Sequence, residues 1–178
     1  TMSYGYGVTV TALQLAQAYA VIASGGIQRP ISFTKVTGPV PGKRILDEKI
    51  ARSIIPMMET VVTQEGTALR AAVPGYRIAG KTGTAHKAEA GGYASNAYMS
   101  LFVGMAPASA PRVVTAVIID NPRQGGYYGG LAAAPVFSRM MSDTLRLMNI
   151  EPDRSAERLA EQHRFPHPST WARPGREG

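Results

Sequence analysis

Gly80-Lys81-Thr82-Gly83-Thr84-Ala85 sets one cation and two hydroxyls around a glycine, directly after the strand-like run Tyr76-Arg77-Ile78-Ala79. In an extended strand the side chains alternate between faces, so Thr82 and Thr84 share one side and Lys81 takes the other. Gly83, lacking a side chain, lets a ligand or another backbone come close. On an edge strand, unpaired N–H and C=O groups can accept an extended peptide as an added strand. An ammonium beside two hydroxyl donors suits a carboxylate, so the pattern points to an edge that binds a peptide acid.

Two plainer origins compete with that chemistry. A Lys-Thr-Gly-Thr string can be a strand running into a turn. Gly75-Tyr76-Arg77-Ile78-Ala79-Gly80-Lys81-Thr82 also spells a phosphate-binding loop, G-x-x-x-x-G-K-[ST]. Such a loop needs an apolar strand before its first glycine and a helix opening at the lysine. Here Pro74 precedes that glycine, the strand-like residues fall inside the loop, and Ala88-Glu89-Ala90-Gly91-Gly92 opens no helix. The context argues against nucleotide binding.

The elements that must position this stretch come from a chain of 178 residues, 44% hydrophobic, enough for one globular domain with a sizeable core. No run approaches the roughly 18–20 unbroken apolar residues of a membrane span, and no signal peptide opens the chain. With no cysteine there are no disulfides or thiolate metal sites. The net charge is +7, and residues 151–178 hold as many acidic as basic residues, so the excess lies in residues 1–150. Its Lys and Arg are scattered rather than clustered, which argues against a nucleic-acid face. A diffuse excess suits an acidic polymer or a carboxylate-bearing substrate instead.

Thr11 with Gln14 forms a capping box ahead of a helix carrying Leu15, Tyr19, Ile22 and Ala23, ending at Gly25-Gly26. Residues 27–36 are β-prone but broken by Pro30, an edge strand at best. Asp47 caps a second helix with Ile50, Ile54, Met57, Met58 and Val61 on one side. Pro56 is expected to kink or split it, and both methionines to fill the core. Thr67 to Ala72 adds a short helical turn. A polar loop over 85–96 leads to a strand, 97–105, with Met99, Leu101, Val103 and Met105 on one face and Tyr98, Ser100 and Phe102 on the other. A turn at 106–111 precedes a strand over 112–120 that is apolar on both faces and therefore covered on both. After the glycine-flanked loop 121–130 comes a last helix with Pro135 near its start and Val136, Phe137, Met140, Met141, Leu145 and Met148 apolar. Residues 151–178 read as a mostly disordered tail. His163 and His167 are separated by Pro166, which breaks any helix that would align them as metal ligands.

Gly80-Lys81-Thr82-Gly83-Thr84-Ala85 closing one strand, two further strands, Tyr127-Tyr128-Gly129-Gly130 and Ala134-Pro135-Val136-Phe137 together resemble the penicillin-binding transpeptidases. Met2-Ser3-Tyr4-Gly5-Tyr6-Gly7, Val10-Thr11 and Gln14-Leu15-Ala16 fit the same family. Met148-Asn149-Ile150-Glu151-Pro152-Asp153 resembles the septal, cell-division class B enzymes. The resemblance implies an α/β, penicillin-recognising (β-lactamase/transpeptidase-like) fold, an antiparallel sheet between helical layers, with only its C-terminal portion in residues 1–150. The family uses a nucleophilic S-x-x-K, an S-x-N and the K-T-G motif. Ser32-Phe33-Thr34-Lys35 spells the first but lies in a strand-like run, whereas the family's nucleophile opens a buried helix, and no S-x-N occurs. The expected reading is the C-terminal part of a transpeptidase domain whose serine lies upstream, inactive alone.

By this resemblance Lys81, Thr82, Gly83 and Thr84 are the catalytic stretch. Lys81 gives electrostatic support and proton traffic, Thr82 and Thr84 hold the carboxylate of a stem peptide or β-lactam, and the Thr84 N–H joins the oxyanion hole. Tyr127 and Tyr128 wall the cleft, with Tyr98 a lesser candidate. The implied reaction is cross-linking of D-Ala-D-Ala stem peptides in peptidoglycan during septum formation, through an acyl-serine that β-lactams also form. It needs no metal or organic cofactor. Implied partners are the upstream part of the same domain and cell-division proteins, at the periplasmic face of the bacterial inner membrane. Two other classes fit the missing serine or the shared K-T-G: a non-catalytic peptidoglycan-binding or divisome scaffold, and a β-lactamase-type hydrolase.

Overall fold

A sheet of three antiparallel strands, in the order β3 (Ala79–Glu89), β4 (Gly92–Ala106), β5 (Val113–Asp120), carries the Lys81 stretch on an outer strand. The computed structural model describes residues 8–89, 92–123 and 126–154. Along the chain run α1 (Ala12–Ala23), β1 (Ile27–Gln28), β2 (Lys43–Arg44), α2 (Glu48–Glu59), β3 (Ala79–Glu89), β4 (Gly92–Ala106), β5 (Val113–Asp120) and α3 (Gly129–Leu147). Short 3-10 turns at Thr60–Val62 and Leu69–Ala71 join α2 to β3.

Period-two alternation along β4 decides which layer each residue meets. Phe102 and Ala106 pack with Val117 of β5 against Ala133, Ala134, Phe137, Met141 and Leu145 of α3. On the opposite face Met105 and Ala79 meet Met58 of α2, with Tyr19, Ile22 and Ala23 of α1 alongside. The sheet is thus held between α3 on one side and α1 with α2 on the other, as the doubly apolar strands require. Phe102 and Phe137, both fully buried, meet edge-on with ring centroids 4.7 Å apart.

Both expected caps form. Thr11 Oγ1 accepts from Gln14 N–H while Gln14 Oε1 accepts from Thr11 N–H, and Asp47 accepts from the N–H groups of Lys49 and Ile50.

Several expectations need correction. Pro56 does not split α2, which continues to Glu59. The carbonyl that proline leaves without an in-helix partner belongs to exposed Arg52, where water can satisfy it. Met58 is core, but Met57 is 67% exposed because one residue turns it about 100° away. The run 27–36 yields only Ile27–Gln28 as strand, paired with the unanticipated Lys43–Arg44. The expected polar loop 85–96 is mostly strand, with Ala85 opposite Met99 and His86 opposite Tyr98. A ladder is held by backbone hydrogen bonds, so polar side chains do not end it. Pro135 lies in the second turn of α3, which begins earlier, at Gly129.

The Lys81 stretch does not close a strand: β3 begins at Ala79 and runs through it. Tyr76-Arg77-Ile78 stays outside the ladder. The Arg77 N–H is given to Asp153 Oδ1 (2.7 Å) and its carbonyl accepts from Ala108 N–H (2.8 Å), so neither remains for a strand neighbour. Of the expected tail 151–178, residues 151–154 are described and folded back on this lead-in, while 155–178, with His163 and His167, lie outside the described residues. No helix among the described residues is long and apolar enough to cross a membrane.

Candidate active site

Lys81 sits opposite Val103, Thr82 opposite Phe102, Gly83 opposite Leu101 and Thr84 opposite Ser100. Thr82 and Thr84 therefore share the α3 face and Lys81 starts on the other. Among the described residues β3 pairs with β4 alone, leaving its second edge open. That open edge lets the lysine cross back: its Nζ donates to the Thr82 carbonyl at 3.1 Å and to Thr82 Oγ1 at 3.3 Å. Ammonium and Thr82 hydroxyl, placed on opposite faces by alternation, meet at the rim of the strand.

Each hydroxyl is oriented by a second group. Thr82 Oγ1 lies 3.0 Å from Thr67 Oγ1, from the turn before the Leu69–Ala71 3-10 segment. Thr84 Oγ1 accepts from the Gly129 N–H at 3.1 Å. Gly129 is the first residue of α3, and Tyr128 before it supplies no side-chain cap, so Thr84 fills that place from a neighbouring strand. A hydroxyl that accepts here still has its own proton to donate outward. The first turn of a helix also carries partial positive charge, which favours an anion at Thr84.

Glycine is needed where α3 lands. A Cβ on Gly129 would lie 2.3 Å from the Leu101 carbonyl oxygen, and one on Gly130 1.9 Å from that of Thr67. The close approach foreseen at Gly83 is made by the protein itself. The Leu101 side chain fills the space where a Gly83 Cβ would stand, and Gly129 packs over its carbonyl.

Beyond Thr84 on the same face, Tyr127 stacks on Tyr98 with ring centroids 4.0 Å apart and planes within 12°, and Tyr128 follows at 4.5 Å. His86 also meets Tyr98, its ring tilted, with centroids 4.5 Å apart. Buried Ser100 donates its hydroxyl to the Tyr127 carbonyl and so ties this row to the sheet. Tyr127 donates its hydroxyl to Tyr128 at 3.3 Å. That bond, and then the neighbour's charge, push the Tyr127 phenol above its ordinary pKa.

The stretch does not have phosphate-loop geometry. Gly75 is in a turn with φ of 81°, residues 76–78 are irregular, and Lys81 lies within a strand rather than at a helix start. Ser32 lies in an exposed irregular segment, not the strand-like run expected. Pro30 prevents continued pairing, and the Ser32 hydroxyl is turned onto the Thr34 carbonyl at 2.8 Å. Among the described residues no three His, Cys, Asp or Glu side chains gather as a metal site. Thr67, Ser100, Gly129 and His86 had no assigned part from sequence. Their contacts with the site span 15 to 45 residues or cross a ladder, and no local spelling encodes them.

Fold and site together define a layered α/β domain with a lysine–threonine motif on the open edge of its sheet. The chain belongs to the penicillin-binding-protein transpeptidase family, its residues 1–142 matching the penicillin binding protein transpeptidase domain. It is 52% identical over 153 residues to the peptidoglycan D,D-transpeptidase FtsI of Escherichia coli K12, a match covering 86% of this chain and 26% of that protein. It is 46% identical over 167 residues to a probable peptidoglycan D,D-transpeptidase, PbpC, of Pseudomonas aeruginosa, covering 94% and 30% of the two. The apo transpeptidase domain of Burkholderia pseudomallei penicillin-binding protein 3 superposes with a TM-score of 0.82 at 46% identity, over 87% of this chain and 47% of that one. The fold is therefore the penicillin-recognising one. The chain spans about a quarter to a third of the two named relatives' length.

Proposed function

We propose that the complete protein is a serine-type peptidoglycan D,D-transpeptidase to which this chain contributes the Lys81–Thr84 edge strand. The observation that carries this reading is the Lys81 ammonium against the Thr82 hydroxyl on an open sheet edge, with the Thr84 hydroxyl on the same face as Thr82, at the start of α3. An extended stem peptide ending in D-Ala-D-Ala adds along β3, its terminal carboxylate received by Thr82 and Thr84 beside the α3 N-terminus. The serine, supplied by the part of the domain outside this chain, attacks the penultimate carbonyl and expels D-alanine. An amine of a second stem peptide then takes the acyl group, closing the cross-link. A covalent intermediate divides one difficult amide exchange into two easier ones.

Within this scheme Lys81 stabilises developing negative charge and exchanges protons with the S-x-N serine. The Thr84 N–H on β3 is one oxyanion donor and the serine's own N–H the other; loss of one such donor costs about 10²–10³ in rate. Tyr98, Tyr127 and Tyr128 form the aromatic wall beside the bound peptide. Septal work in cell division, with division proteins as partners, is supported by the ending Met148–Asp153 and by the FtsI likeness. The same reading places the site on the periplasmic face of the inner membrane.

Intact mass after incubation with a penicillin tests the assignment. The complete protein should gain one drug mass and this chain none. Acylation of this chain itself would return Ser32 to consideration, and no acylation of the complete protein would favour a scaffold.

A further inference from the structure

Residues 75–77, which lead into β3, are gripped from three sides. Asp153 accepts two backbone N–H groups with one carboxylate, Arg77 at 2.7 Å and Ser109 at 3.1 Å. Such charge-assisted bonds are roughly twice as strong as neutral ones. The Ala108 N–H to Arg77 carbonyl bond, 2.8 Å, joins the same two segments again. From the end of α2, Glu59 receives the Arg77 guanidinium in a fork at 2.8 and 2.7 Å. After α3, the Ile150 carbonyl accepts from the Tyr76 hydroxyl at 2.5 Å, and Arg154 N–H reaches the Gly75 carbonyl at 3.0 Å.

An edge strand has a ladder on one side only, so fewer bonds fix its position than fix a central strand. β3 is held further along by Gly129 on Thr84, at the beginning of α3. Its beginning depends on the lead-in, and Lys81 is only ~13 Å of extended chain beyond Arg77 at about 3.3 Å per residue. We propose that Asp153, with Arg77 and Glu59, is a clasp that sets where Lys81, Thr82 and Thr84 stand relative to the reacting serine. Asp153 is thus a positioning residue, acting through β3 without touching substrate. This rests on the acyl-transfer reading above.

The test uses the complete protein and a fluorescent penicillin, following both the rate constant of labelling and the fraction labelled. Asp153→Ala should slow labelling by between ~10-fold and ~100-fold, the scale of a small misplacement of reacting groups, while the labelled fraction stays near wild type. A merely structural role would lower the fraction and leave the rate constant of the remainder unchanged. Asp153→Asn should fall between, since its carbonyl oxygen keeps one acceptor. Glu59→Gln, slower in the same direction, serves if the alanine variant does not fold. Hydrogen exchange reads the clasp without any chemistry: amides 79–82 should exchange faster in Asp153→Ala, with those of β5 unchanged. A wild-type rate constant, or unaltered exchange at β3, overturns the proposal. A wild-type protein that takes up no penicillin overturns the transpeptidase reading instead, and exchange at β3 then decides the clasp.

Discussion

At the scale of single residues, the proposed site depends on one side chain that leaves its own face. Lys81 reaches Thr82 across an edge that no further strand covers among the described residues. In the complete protein Lys81→Ala should nearly abolish acylation by penicillin with an unchanged melting temperature. Near-normal labelling would remove its role. Thr84→Val deletes both the outward proton and the acceptor for Gly129, so capture of carboxylate-bearing β-lactams should weaken, at a stability cost of about 0.5–1.5 kcal/mol. Thr84→Ser keeps the hydroxyl and should restore both; labelling kinetics and urea melts separate the two effects. If Val and Ser behave alike, the hydroxyl is not what binds.

At the scale of elements, α3 is a structural wedge with chemical consequences at its first turn. Gly129 and Gly130 let it descend onto Leu101, Gly83 and Thr67, and that descent brings the Gly129 N–H to Thr84. Gly129→Ala puts a methyl against backbone, which cannot yield as a flexible side chain would. A loss of about 1–3 kcal/mol is expected from such overpacking, together with slower acylation as the helix lifts from β3. Denaturant melts and penicillin labelling measure both. Unchanged kinetics in a folded variant would uncouple α3 from the site.

At the scale of the molecule, the sheet is the shared floor of both layers, and its centre is the Phe102–Phe137 contact. Phe137→Ala should cost the complete protein about 3–5 kcal/mol of stability, read as a lower denaturant midpoint with the slope retained. A smaller loss would mean that α3 is held chiefly by its ends. β5, at the far side of the sheet, pairs only with β4 among the described residues, and Val8, Val10 and Leu13 are exposed nearby in sequence to α1. The solved Burkholderia domain is about twice as long as the part matched here. These surfaces accordingly suit coverage by the rest of the domain.

What the sequence determined by itself was local. Thr11 and Asp47 announced their helices because caps are satisfied within three residues, and β4 announced its two faces because pleating has period two. The Lys81–Thr84 spelling, with the glycines and tyrosines downstream, also carried the resemblance to the family. Where β3 begins was not legible, since it depends on Asp153 and Ala108 taking the bonds of Arg77 from across the fold. Nor was the length of the hairpin, held by backbone pairing that polar composition does not report. The sequence set Lys81 and the threonines on opposite faces. Only the tertiary structure, by leaving one edge of β3 open and landing α3 on the other side of Thr84, brought amine, hydroxyls and helix terminus together. Those contacts join residues far apart in the chain, and local periodicity carries no information about which distant groups will meet.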